Sequence, residues 1–332
     1  MRAKIITRAA DWEVIPGPVG GILPGTPDRN TNHKETPMER MKASDFPQEV
    51  LNIFDLYIHG HIDRRGFLDR AQKYAVGGLT AAVMLEALRP NFALGQQVPK
   101  DDARLRITTV EIPSPQGNGT IKAYVTRPKS ATGKLPVVLV VHENRGLNPH
   151  IEDIARRVGL ANFLAIAPDG LTTVGGYPGA ETPEAQRETV ATQKFGTVPG
   201  MKMTEDFVAA AGFAKAHAEG TGKVGTVGFC YGGGIVNTLA FRVPELNCGV
   251  AYYGNQPTNP ADIAKIKSPL LLQYGSLDAG ITGRWPAYDA ALTAAGVVHT
   301  GYVYEGANHG FNNDTGARYD VNSAKLSWDR TM

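Results

Sequence analysis

From about residue 104 the chain alternates short apolar runs with longer helical stretches, and few folds accept that order. The runs are PVVLVVH (136–142), FLAIAP (163–168), KVGTVGF (223–229), CGVAYYG (248–254), PLLLQYG (269–275) and TGYVYEG (300–306). Continuous β-branched runs of this length suit strands covered on both faces, as in a parallel sheet. Among them lie HIEDIARRVGLA, TEDFVAAAGFAKAH, GGIVNTLAFR and RWPAYDAALTAAG, which read as helices. RITTVEIP and TIKAYVTR, split by the turn SPQGNG, read as an antiparallel pair at one sheet edge. The alternation predicts one α/β domain over residues 99–332, a doubly wound, mostly parallel sheet with helices on both faces.

Two further pieces precede that domain. Residues 1–40 are rich in Pro, Gly, Asn and Thr without periodicity and predict a disordered extension, with Met38 and Met41 as later candidate starts. Residues 41–98 open with SDFPQEVLNIFDLYIHG, whose Val50, Leu51, Ile53, Phe54, Tyr57 and Ile58 suit a short amphipathic helix. There follows HIDRRGFLDRAQKYAVGG, where two readings stand side by side. Arg64-Arg65 before Gly66-Phe67-Leu68, the apolar stretch 75–85 and the small residues of Ala93-Leu94-Gly95 match a twin-arginine export leader, which implies export machinery as a partner and a periplasmic product. Alternatively the segment is a retained helix with both arginines in its solvated first turn, and the protein stays in the cytoplasm. The apolar stretch is about a dozen residues, too short for a stable membrane span.

The tightest turn in the sequence is GFCYGGG at 228–234. A strand ending at Phe229, a cysteine, then glycines opening an apolar helix form a nucleophile elbow with cysteine in place of serine. Small residues at Gly228 and Gly232 let the backbone bend sharply enough to lift Cys230 above the sheet. At a helix N-terminus the partial positive charge favours thiolate over thiol. A buried structural cysteine beside a glycine-rich loop is the plain alternative, although the segment has neither a Walker lysine nor a G-x-G-x-x-G pattern. An elbow predicts an acid after a later strand and a histidine after the last one. Asp278 in LLLQYGSLDAG and His309 in YVYEGANHGF occupy those places. The loop HENRGLNPHIED after PVVLVVH would supply one oxyanion amide, at Asn144, and the residue after the nucleophile, Tyr231, the other.

The GFCYGGG turn, the Asp278 turn, the NHGF loop and HENRG together resemble the dienelactone hydrolases, the carboxymethylenebutenolidase branch of the α/β-hydrolase fold, across roughly residues 104 to 332. The resemblance implies that Cys230 attacks a lactone or ester carbonyl, that His309 is the base and that Asp278 orients it. It also implies that Glu143 contacts the resting thiol and helps to form the thiolate. The family holds its substrate carboxylate with arginines, one of them at a position where this chain has Asn313. Arg145, Lys202 and Arg284 are candidate substitutes, each with a solvated-surface reading left open. Arg145, Trp285 and Phe311 are carried as the candidate substrate-binding residues. The chain ends at SAKLSWDRTM inside a helix that the family continues, which reads as a truncation.

The 34 basic and 32 acidic residues are interspersed and leave a formal net charge of +2, so no face points to nucleic acid and a small-molecule partner is expected. No HExxH or CxxC spacing occurs, so no metal or cofactor is assigned. The remaining histidines receive no role: His142 ends a strand, and His59 and His61 fall in the leader. Two other function classes stay open, a thiol-based redox-responsive protein using Cys230 and a catalytically idle scaffold. The first would favour a resolving cysteine nearby, and the only other cysteine, Cys248, sits in a strand.

Overall fold

The structure, a computed structural model, describes residues 40–332, and all but the last residue of the expected disordered extension 1–40 lies outside the described residues. Eight strands form one sheet: β1 (Leu105–Ser114), β2 (Gly119–Pro128), β3 (Leu135–Val141), β4 (Leu164–Pro168), β5 (Gly220–Phe229), β6 (Cys248–Tyr252), β7 (Leu270–Gly275) and β8 (His299–Tyr304). Their spatial order is β1-β2-β4-β3-β5-β6-β7-β8. β1 pairs antiparallel with β2, and β2 antiparallel with β4. Every other neighbour is parallel. The strands β3 to β8 therefore end on a common rim, where an open α/β sheet holds its site.

Side-chain alternation along β3 explains why both faces carry helices. Val137, Leu139 and Val141 pack with Phe207, Ala210 and Ala214 of the helix Gly200–Ala216. Val140 packs on the other face with Ile151, Ile154 and Val158 of the helix Pro149–Leu160. Successive residues of a strand point to opposite faces, so a run that is apolar throughout must be buried twice.

One helix was not visible as an apolar pattern. Glu184–Thr197 is polar along most of its length, and Ala191 is its one buried residue. Its residues Thr192, Gln193 and Phe195 nevertheless reach the rim.

The segment 41–98 forms a helical cap on that rim. Helices Gln48–Ile58, Arg64–Ala71 and Ala81–Ala87 enclose a core of their own, in which Val50, Phe67 and Met84 are fully buried and Ala317 from the main domain joins. Asp63 caps the second of these helices by accepting the Gly66 amide at 2.7 Å. Arg64 and Arg65 then fall in its exposed first turn, while Phe67 and Ala71 face inward. Bonds across the junction include Gln48 Nε2 to Asn308 Oδ1 at 2.7 Å and Arg318 Nη1 to Asp55 Oδ1 at 2.8 Å. Asn144 Nδ2 also donates to the Ile58 carbonyl, at 2.6 Å. No helix among the described residues is long and apolar enough to cross a membrane.

Phe67→Ala should destabilise the protein by about 3–5 kcal/mol, the usual cost of emptying a buried phenylalanine site. Urea unfolding checks this; an unchanged midpoint would mean that the helix after Arg64-Arg65 contributes no packing.

Candidate active site

The turn after β5 takes the shape the glycines predict. Cys230 has φ 55° and ψ −114° and is the N-cap of the helix Tyr231–Arg242. A non-glycine residue with such angles is held by its surroundings at a cost of about 1–3 kcal/mol. Its amide donates to the Tyr252 carbonyl at 3.0 Å, and its carbonyl accepts from Gly234 at 3.2 Å. A Cβ added at Gly232 would stand 2.3 Å from the Val141 carbonyl oxygen, and one at Gly228 2.2 Å from that of Gly232. Both glycines are thus required by close approach of backbone to backbone.

The two loops that follow β7 and β8 are sewn together. Ser276 donates its amide to Tyr304 at 2.9 Å, Leu277 to Ala307 at 3.0 Å, and Gly306 to the Ser276 hydroxyl at 2.8 Å. This brings Asp278 under His309, whose Nδ1 donates to Asp278 Oδ2 at 2.7 Å. The other Asp278 oxygen accepts the Ile281 amide at 3.3 Å. His309 Nε2 is buried without a hydrogen-bond partner, on the side of the ring that faces the sulfur.

The direct partner of the sulfur comes from the cap. His59 Nε2 lies 3.3 Å from Cys230 Sγ, and His59 Nδ1 donates to the Asp55 carbonyl at 2.8 Å. His59 carries no sequence signal for this role, because it is some 170 residues from the elbow and no local spacing joins them. Burial alone would push the Cys230 thiol up, yet the charges of His309 and His59 outweigh it and hold the thiol at about 6. Burial would likewise lower His59, but the Cys230 charge and Asp55 raise it to about 10. His309 is raised well above the ordinary imidazole value against the same burial, chiefly by the Cys230 charge and its bond to Asp278.

A cavity of about 490 Å³ opens above the sulfur, lined by His59, Asn144, Phe195, Tyr231, Tyr253 and Ile281 among others. That volume suits a small organic molecule. Neither the Asn144 nor the Tyr231 amide has a hydrogen-bond partner among the described residues, so both are available as donors. Tyr253, also missed from sequence, has φ 37°, a buried hydroxyl without a partner, and its ring 4.9 Å from that of His309.

Several expected residues have other partners than expected, although Glu143 and Arg145 do line a small cavity with Cys230 and His309. Glu143 Oε2 accepts from Asn313 Nδ2 at 2.9 Å, so its bond goes to the asparagine in the arginine position rather than to the thiol. Arg145 pairs its Nε with Glu188 at 2.7 Å and is buried there, which commits its charge inside the protein. Trp285 does not line the cavity; it packs against β8, where a Cβ on Gly301 would lie 2.1 Å from its ring. Phe311 is fully buried among Tyr252, Tyr253 and Tyr304, and its place is in the core. Lys202 donates to the Gly117 carbonyl in the β1–β2 turn. Arg284 holds Asn255 Oδ1 at 2.8 Å, on the cavity wall. His142 bridges two loops, accepting the Gly170 amide at 3.0 Å.

The nitrogen and sulfur atoms of His59, Cys230 and His309 lie within 4.8 Å of one another. These residue types suit a soft metal ion, but the sulfur's bond to His59 and the hold of Asp278 on His309 account for the grouping as it stands. Cys248 pairs with Gly225 and Tyr252 with Phe229, which sets the two cysteines at opposite ends of the β5–β6 ladder. At about 3.3 Å per residue that is roughly 15 Å, far beyond disulfide reach.

Comparison with known proteins gives two family matches. Residues 121–332 match the dienelactone hydrolase family, and residues 38–76 match a family described as YqhI-like. An Escherichia coli O157:H7 protein named "Putative carboxymethylenebutenolidase" is 34% identical over 248 residues, covering 71% of this chain and 88% of its own. An E. coli K12 protein named "Putative hydrolase fragment YghX" is 50% identical over 101 residues, 30% of this chain and 86% of that one. The crystal structure of a "Putative Dienelactone Hydrolase" from Klebsiella pneumoniae superposes with a TM-score of 0.57 at 32% identity, covering 68% of this chain and 97% of that one.

With the Cys230 thiol lowered to about 6, its alkylation by iodoacetamide should stay fast at pH 7 and fall as the pH drops through about 6. A rate that instead rises only above pH 8 would show an ordinary thiol.

Proposed function

Because the chain belongs to the dienelactone hydrolase family, a family of hydrolases acting on lactones or esters, we propose that it does this chemistry through Cys230, His309 and Asp278 and an acyl-thioester. The observation that carries the reading is an unpartnered, buried His309 Nε2 beside a sulfur held at low pKa, with Asp278 2.7 Å behind the ring.

The steps balance without a cofactor. The Cys230 thiolate adds to the carbonyl carbon, and the Asn144 and Tyr231 amides receive the oxyanion, an effect of about 3–4 kcal/mol per donor in well-formed holes. His309, protonated at rest, gives its Nε2 proton to the departing alkoxide as the carbon–oxygen bond breaks. The acyl group is now on sulfur and His309 is neutral. Water then gives a proton to His309 and its hydroxyl to the acyl carbon; the carbon–sulfur bond breaks and thiolate returns. A thiolate nucleophile favours reactive lactones and activated esters over amides. Since Arg145 is committed to Glu188 and Asn313 to Glu143, selectivity for a substrate carboxylate should be weaker than in relatives that offer a free arginine there.

We also assign residues 41–98 to the mature protein rather than to a removed leader. The buried Phe67 and the cap's bonds to Asn308, Asn144 and Arg318 support this. N-terminal sequencing of protein from its native host tests it, and a start near residue 95 would refute it.

p-Nitrophenyl acetate should be hydrolysed by the wild type, and Cys230→Ala and His309→Asn should each lose at least about a thousandfold in kcat/KM. Equal rates for wild type and Cys230→Ala would end the thiol mechanism.

A further inference from the structure

We propose that His59, carried on the N-terminal cap, is a catalytic residue: its Nε2 holds Cys230 as the thiolate and leaves His309 Nε2 free for the substrate. This rests on the hydrolase reading for its consequence in turnover, though not for the contact itself.

The partners of His59 Nδ1 fix which ring nitrogen carries the proton. His59 Nδ1 faces the Asp55 carbonyl at 2.8 Å and the Asp55 carboxylate at 3.4 Å, both of which only accept, so Nδ1 always carries hydrogen. Nε2, 3.3 Å from sulfur, can then either accept the S–H proton or, having taken it, donate to thiolate. In the first event the S–H bond breaks and an Nε2–H bond forms, with no other reactant.

The surroundings favour the charged form. His59 is the C-cap of the helix Gln48–Ile58, where the helix dipole favours a cation. Asp55, one turn earlier, lies against the ring and is itself fixed by Arg318. On the main domain the sulfur also faces His309 with Asp278 behind it, while Glu143, Arg145 and Tyr253 surround the site. The two rings meet edge to face with centroids 5.1 Å apart, so both reach the sulfur without displacing each other.

The division of labour follows. A single imidazole must both make the thiolate and protonate the alcohol. Here His59 stays charged beside the sulfur while it attacks and again while it departs from the thioester, and the His309 proton goes to the alkoxide. The role that the family resemblance gives to Glu143 at the thiol is taken by a residue from outside the hydrolase domain, within the separately matched stretch 38–76.

The test compares full-length wild type, His59→Ala and His59→Gln by iodoacetamide alkylation across pH, p-nitrophenyl acetate kinetics and thermal unfolding. A charge-assisted hydrogen bond to sulfur predicts a loss of about 10- to 100-fold in kcat with little change in KM for His59→Ala. Its alkylation midpoint should move up, and His59→Gln, whose amide can donate to sulfur, should recover part of the rate. The unfolding midpoint should change little. An alkylation profile in His59→Ala identical to wild type overturns the proposal, as does equal loss in both variants accompanied by a fall in melting temperature. If no variant, wild type included, hydrolyses esters, the hydrolase reading fails, and the alkylation shift still decides whether His59 holds the thiolate.

Discussion

Cys230 is held at φ 55° in a turn with no room for one extra methyl group on its flanking glycines, and the site is built around that constraint. The start of the helix Tyr231–Arg242 is wedged between the end of β3 and the end of β6, and Gly232 touches the Val141 carbonyl. Strain of this kind persists only where packing over-determines it. The parallel core supplies that packing, since β3, β5 and β6 are buried on both faces. The sulfur is therefore delivered to a fixed point, and every other group has to come to it.

A thiolate in a buried turn is costly unless charge surrounds it. Two imidazoles flank the sulfur here, each with a carboxylate behind its Nδ1, Asp278 for His309 and Asp55 for His59. One imidazole comes from the rim of the sheet and the other, which bonds the sulfur directly, from the cap. Arg318 closes the circuit by binding Asp55 from the loop that follows His309. The cap is thereby part of the electrostatics of the cavity as well as its roof.

The cap also explains why its sequence resembles a leader. Paired arginines suit an export signal, and they equally suit the solvated first turn of a helix whose N-cap is an aspartate. The apolar residues that follow would serve either purpose. In the folded cap Phe67 and Ala71 face one way and are both fully buried, while the arginines face the other, which is the pattern of a packed helix.

The hydrolase domain was legible because its signals are local. Alternating runs determined the strands, the glycines around Cys230 determined the elbow, and chain order picked out Asp278 and His309, which the folded loops bring to 2.7 Å of each other. Tertiary structure alone decided the rest. Trp285 and Phe311 look like pocket aromatics but serve the packing of β8 and the core, Glu143 turns to Asn313, and the polar helix Glu184–Thr197 walls the cavity. His59 meets the sulfur from a helix far away in sequence. Residue type and spacing report what a segment does with its own neighbours, whereas a contact made by docking one folded unit on another leaves no period to read.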